Sequence, residues 1–445
     1  MTDTLQVRQQ TLLLALALGL TTMAFIIAKT GRDALFFQGS GSLLQLPLIY
    51  INIGGASLPL ALLFVKTMKV WGARPARIGV ITLAAAVMAM AAPFLEPGDN
   101  APLLAMFMFI PAIFGLVFAS LWLLASDIFE KTAKSAAARA FSKIGAATLA
   151  GGMTGGLISK GLAPYLDPKW LIVLGAVVIF GVVALVAHIH RRFPTNVVAK
   201  KADDKNKFGI LAPVSNKYAL TLLFISMTGA LAGLLIDFQF YATAAGASMG
   251  AKGNANFFAN FYILLNFSSL LLQLFATPKI QEKIGLRGGL MVLPFALVGG
   301  AAFATAAATA FSRSVLRVTE GSLRSSVHRS IWEQVFIPVD SAERSVVKIL
   351  VDGIAARFAE ALGAVVILLW LKQAVPDGII NMPLDTRWMS WMVIGTVVSW
   401  LLITQKLRVQ VKQPARIQPV SGKEIECARF PDQCPCTTEL GKGIA

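Results

Sequence analysis

Ala138-Arg139-Ala-Phe-Ser-Lys143 and Glu343-Arg344-Ser-Val-Val-Lys348 carry Arg and Lys at the same spacing about two hundred residues apart. Just upstream, Ile128-Phe129-Glu130 is echoed by Ile331-Trp332-Glu333, and Gly72-Ala-Arg74 by Gly285-Leu-Arg287. Three landmarks repeated in the same order imply a chain built from two copies of one unit. Apolar runs near 11–28, 43–65, 76–95, 103–126, 140–159 and 170–189 fill the first copy, and runs near 218–243, 256–277, 288–311, 346–371 and 388–405 the second. Each is long enough to cross a hydrocarbon core, which takes about 20 residues of helix. A twelfth crossing near 312–337 is too polar for a hydropathy window and is inferred from the duplication.

Composition sets the class. The 445 residues are 56% hydrophobic and 14% charged, with a mean hydropathy of +0.69, whereas a soluble domain carries roughly 25% charged residues. The expectation is an all-α polytopic membrane protein with 12 transmembrane helices in two pseudo-repeated six-helix bundles. Residues 1–192 and 217–408 would form the bundles, 193–216 a polar linker and 409–445 a tail. A net charge of +17 could point to nucleic acid, but the excess basic residues cluster in alternate loops. Lys66, Lys69, Arg74 and Arg77 follow the second run, Lys131 and Lys134 the fourth, Arg191 to Lys207 the sixth, and Lys279, Lys283 and Arg287 the eighth. The positive-inside rule then puts both termini in the cytoplasm of a cell-membrane protein. The N-terminal run continues into Lys29-Thr-Gly-Arg32-Asp33 and reads as a first span, not a cleaved leader. Cys427, Cys434 and Cys436 all fall in the tail, where their spacing without a nearby His is a weak metal signal. No cofactor is implied, and no nucleophile–base set, metal cluster or phosphate loop suggests an enzyme.

Charged residues inside apolar spans are costly, about 2.5–3.5 kcal/mol each on insertion scales, and mark sites or partners. Lys29 and Asp33 stand one turn apart with Arg32 beside them; interfacial anchoring is the competing reading. Arg313, Arg317, Glu320, Arg324 and His328 step by 4, 3, 4 and 4 and share one helical stripe. Its basic excess needs acids from other helices, an anionic ligand, or both. Arg344, Lys348 and Asp352 line one face of the next span. Asp127 and Asp237 are lone acids able to act as counter-ions. Tyr50, Tyr241, Tyr262, Phe129 and Trp332 are aromatic candidates, with Tyr50 and Tyr262 at comparable places beside Asn52 and Asn266. Arg forks and Lys point charges suit a multiply anionic ligand. The glycines of Gly151-Gly152-Met-Thr-Gly155-Gly156 read as close helix packing.

These residues together resemble the ATP/ADP translocase family and its bacterial relatives within the major facilitator superfamily. The resemblance rests on Arg32-Asp33, on Asp127 through Ala138-Arg139-Ala-Phe141 to Gly145, and on Gly321-Ser322-Leu323-Arg324 through His328-Arg329, Glu333 and Ile337-Pro338 to Lys348, Asp352, Arg357 and Gly363. Arg32 stands where the exchangers use Lys, Asp127 and Asp237 where they tend to use Glu, and Ser330 where relatives commonly have Pro. The resemblance implies a major-facilitator fold and alternating-access transport of a small anionic solute, a nucleotide such as ATP or ADP or another phosphorylated metabolite, across the lipid bilayer. It also implies Lys29, Arg32, Arg324, His328 and Lys348 as substrate-binding residues, with Asp33, Asp127, Asp237, Glu320, Glu333 and Asp352 as counter-ions or gating acids. Proton-coupled transport of another organic anion or a drug, and a non-transporting sensor or scaffold, are the alternatives.

Overall fold

A computed structural model describes residues 2–38, 42–97, 101–129, 134–193, 217–246, 250–336, 347, 349–374 and 386–407. The polar linker, the tail and Lys348 therefore lie outside the described residues. Residues 1–407 form one compact unit.

The described residues are helical almost throughout. In the first half of the chain run α1 (Thr2–Phe36), α2 (Ser42–Trp71), α3 (Ala73–Ala91), α4 (Ala101–Phe129), α5 (Lys134–Leu162) and α6 (Pro168–Arg192). In the second half run α7 (Lys217–Gly246), α8 (Gly250–Leu271), α9 (Thr277–Ala307), α10 (Ala310–Leu323), α11 (Arg329–Trp332), α12 (Ala356–Ala374) and α13 (Arg387–Lys406). Wider π turns at Leu272–Ala276, Arg324–His328 and Ile349–Ala355 interrupt the second half.

Among the described residues, eight helical stretches are long and apolar enough to cross a membrane. The sequence expectation was twelve crossings, and the difference has a physical source. Helix α10 carries the charged stripe and α5 a basic, glycine-rich composition, so neither enters that set, and α2 is represented only by the shorter apolar stretch Leu43–Ala56. One stretch, Lys252–Ala307, runs 56 residues, about 84 Å if straight at 1.5 Å per residue. It is not straight. Gly285 within it has φ 67° and ψ −172°, and a Cβ on Gly289 would lie 3.5 Å from Ile280, nine residues back. The chain reverses at Gly285.

Gly72, between α2 and α3, has φ 91° and ψ 161°. Both backbones lie in a region essentially open to glycine alone. The matched glycines of the sequence echo are thus matched turns, and Arg74 and Arg287 follow each by two residues. At the opposite ends of their helices, Ala308 closes α9 in the left-handed region and Thr309 opens α10 with a capping box to Ser312.

Helix α1 packs against α5 and α6 in its own half and against α8 in the other, while α2 meets α12 and α5 meets α8 across the seam. The α5 glycines make these approaches. A Cβ on Gly151 would lie 2.1 Å from the Gly19 carbonyl oxygen, and one on Gly155 2.6 Å from that of Met23, both on α1. One turn-face round, Gly152 faces Asn266 and Gly156 faces Ile263, both on α8. Gly151→Ala meets backbone that cannot yield, so a loss of about 1–3 kcal/mol is expected. Gly152→Ala meets only the end of an amide side chain, which can turn away. Thermal unfolding of the two variants should therefore place Gly151→Ala clearly below Gly152→Ala; the reverse order would contradict this packing.

Candidate functional site

The first candidate cluster lies toward the end of α1 away from Thr2, called here the far end. Helix α1 brings Lys29, Arg32 and Asp33 there within about one turn. Asp33 is fully buried and Arg32 nearly so. A buried carboxylate persists only with full partnering, and Asp33 has it. Arg32 Nε donates to its Oδ1 at 2.8 Å, with Nη2 on the same oxygen. On Oδ2 it accepts from the Tyr262 hydroxyl at 2.6 Å and the Tyr241 hydroxyl at 3.2 Å. Arg32 also donates to the Phe107 carbonyl at 3.2 Å and covers the Phe107 ring at 3.8 Å. The ion pair is thus with the adjacent Arg32, not with Lys29 one turn back, while the two tyrosines come from the other half of the chain.

Lys29 is left differently. Its ammonium stands 4.8 Å above the centre of the Tyr262 ring, and among the described residues it makes no ion pair or hydrogen bond. Asp33, Asp237, Arg32 and Arg317 all lie close enough to act on it electrostatically.

The charged stripe of α10 forms the second cluster. Arg317 pairs with Asp237 of α7 at 2.7 Å and with Glu320 one turn on. Glu320, buried, also takes Arg324 Nε, and Arg324 Nη2 donates to the Gly229 carbonyl at 2.8 Å. Glycine at 233 leaves room for this, since a Cβ there would sit 3.1 Å from Arg324 Nη2 and 3.4 Å from a Glu320 oxygen. One carboxylate thus serves two guanidinium groups. Arg324 remains 36% exposed, and among the described residues its Nη1 donates to nothing. Arg313, at the start of the stripe, donates to Thr243 at 3.3 Å.

The two clusters are joined by a repeated contact. Tyr50 of α2 donates to Asp237 of α7 at 2.7 Å, as Tyr262 of α8 does to Asp33 of α1. Each tyrosine reaches an aspartate of the opposite half, and each aspartate holds an arginine of its own half. Further contacts close the same end: Phe37 stacks on Tyr241 with ring centres 4.6 Å apart, Asn254 donates to the Phe37 carbonyl at 3.4 Å, and Lys252 to that of Pro164 at 3.2 Å.

The other sequence candidates sit elsewhere. The wide turn at Arg324–His328 changes the winding and carries His328 into a packed aromatic nest. Its ring stacks on Trp332 at 5.6 Å and meets the edge of Trp400 at 5.5 Å, with Nδ1 unpartnered among the described residues. Asp352 accepts from the Trp332 indole at 2.8 Å. Glu333 pairs with exposed Arg329 at 3.1 Å. Asp127 pairs with Arg77 of α3, which is 1% exposed. The sequence reading counted Arg77 among the loop charges and so missed it as a buried partner; its position one turn past Gly72 was the available signal.

No protein-family model and no curated protein matches the chain, so the likeness to ATP/ADP translocases has no sequence match behind it. Solved structures do match in fold. The nucleoside transporter NupG, in a point-mutant form, superposes with a TM-score of 0.63 at 14% identity over 88% of this chain and 100% of that one. The POT family transporter PepTSo gives 0.63 at 12% identity over 90% and 99%. The xylose transporter XylE from E. coli gives 0.61 at 12% identity over 90% and 99%. The chain therefore shares the fold of these solved membrane transporters. Each of these structures is of a transporter.

Proposed function

We propose that the chain is a secondary transporter that moves a small anionic solute by alternating access, with a nucleotide or another phosphorylated metabolite as the substrate class. Twelve helical segments cross the bilayer in this reading: α1 to α8, α9 beyond Gly285, α10 with α11, the Ile349–Ala355 turn with α12, and α13. Basic loops then place the near end, with both termini, in the cytoplasm and the far end outside.

One observation carries the substrate class. Beside a seam whose buried acids already hold Arg32, Arg317 and Arg324, among the described residues Lys29 of one half makes no ion pair and Arg324 of the other donates its Nη1 to nothing. Neutral solutes would leave this cationic surplus unpaired in a low-dielectric interior, which is strongly unfavourable. A phosphate group suits either cation, Arg through its fork and Lys as a point charge. Asp33, Asp237 and Glu320 hold Arg32, Arg317 and Arg324 in place, and Asp127 neutralises Arg77 near the cytoplasmic face. Roles for His328, Glu333, Asp352 and Lys348 remain proposals of the same kind, with His328 and Asp352 acting through the aromatic nest and not by direct contact.

Counterflow into proteoliposomes tests this. Vesicles preloaded with unlabelled nucleotide are expected to accumulate labelled nucleotide, and a labelled neutral nucleoside is expected to stay at background. Accumulation of the nucleoside alone would remove the anion reading. Uptake that follows an imposed pH gradient without internal nucleotide would replace exchange by proton coupling.

A further inference from the structure

We propose that Tyr262–Asp33 and Tyr50–Asp237 are a duplicated gate closing the far end, and that Tyr262 is the member that senses the substrate. The inference rests on the anion-transport reading for its second part only.

The gate follows from which bonds cross the seam. The described ion pairs of both clusters lie within one half: Arg32 with Asp33, and Arg317 and Arg324 with Asp237 and Glu320. The tyrosine hydroxyls cross it, to Asp237 at 2.7 Å and to Asp33 at 2.6 and 3.2 Å. Separating the halves therefore breaks hydroxyl bonds and leaves each carboxylate with its arginine. No buried charge is stranded, so the gate can open without the large penalty that parting an ion pair would carry. The contact is also pseudo-symmetric, with α2 reaching α7 and α8 reaching α1, as expected when one latch is copied with its unit.

The two copies differ in one respect. Tyr262 carries Lys29 over its ring at 4.8 Å, and among the described residues no cation stands over Tyr50. An anion drawn to Lys29 arrives beside the Tyr262 ring and brings its own acceptor oxygens. The hydroxyl can then turn from Asp33 to the anion, so that occupancy loosens the latch. A solute without acceptor oxygens cannot make this exchange.

The test uses the full chain with its three cysteines replaced by serine and a reporter placed at Ala255. That residue is fully buried at the far end with Ala34 and Ala163. Maleimide labelling of Ala255→Cys is measured in nanodiscs without ligand and with millimolar ATP. Tyr262→Phe, which keeps the ring beneath Lys29 and removes only the hydroxyl, is expected to raise ligand-free labelling about tenfold. Tyr50→Phe should raise it as well, and supplies an independent reading if Tyr262→Phe folds poorly. ATP should accelerate labelling of the parent and have no further effect in Tyr262→Phe. Parent-like labelling in both phenylalanine variants would overturn the gate. A raised ligand-free rate with no ATP effect in the parent would keep the gate and overturn the anion reading, so the two failures are distinguishable.

Discussion

Glu320→Ala is expected to cost about 3 kcal/mol of stability, from the low end of the penalty for breaking a buried ion pair by removing one partner. The side chain is 2% exposed and accepts from both Arg317 and Arg324. Arg317 would keep Asp237, but Arg324 would retain only the Gly229 carbonyl. The partial exposure of Arg324 is why the low end applies. Glu320→Asp shortens the side chain by one methylene and cannot span both guanidinium groups in the same geometry, so an intermediate loss is expected. Thermal unfolding followed by tryptophan fluorescence measures this. A melting transition unchanged in Glu320→Ala would mean that the stripe is not held together by its acid.

Lys29→Ala should behave in the opposite way. Lys29 gives up no ion pair when removed, only its position over the Tyr262 ring, worth about 0.5–2 kcal/mol. Stability should therefore stay close to that of the parent. Affinity for an anionic substrate should fall about 10- to 100-fold, the loss of one charge-assisted hydrogen bond of roughly 1.5–3 kcal/mol. Isothermal titration or a competition assay on purified protein separates the two effects. A lysine that merely anchors the end of α1 would leave binding untouched.

The contrast between these residues marks how much was legible in the sequence. A membrane class and the polar α10 stripe follow from composition and spacing, because hydropathy and 3.6-residue periodicity are local properties. The paired reversals at Gly72 and Gly285 were visible as an echo for the same reason. Partnering was not. Tyr50 meets Asp237 across 187 residues and Tyr262 meets Asp33 across 229, and nothing in either segment names the other. Charge counting showed that the stripe needs acids, but Asp237 could be assigned to Arg317 only with α7 in place. The spacing put Asp33 within reach of Lys29, yet the side-chain geometry gives it to Arg32. The wide turn at Arg324–His328 likewise defeats a stripe drawn at constant helical pitch, and it separates His328 from the arginines that precede it.

The claim that binds these features is that the seam selects negative charge. Competition in the counterflow assay measures this directly, with unlabelled nucleoside, nucleoside monophosphate, diphosphate and triphosphate of one base tested against labelled nucleotide uptake. Inhibition is expected to strengthen from nucleoside to the phosphorylated forms, with the step across the first phosphates flattened in Lys29→Ala. A nucleoside that competes as well as its triphosphate would contradict it.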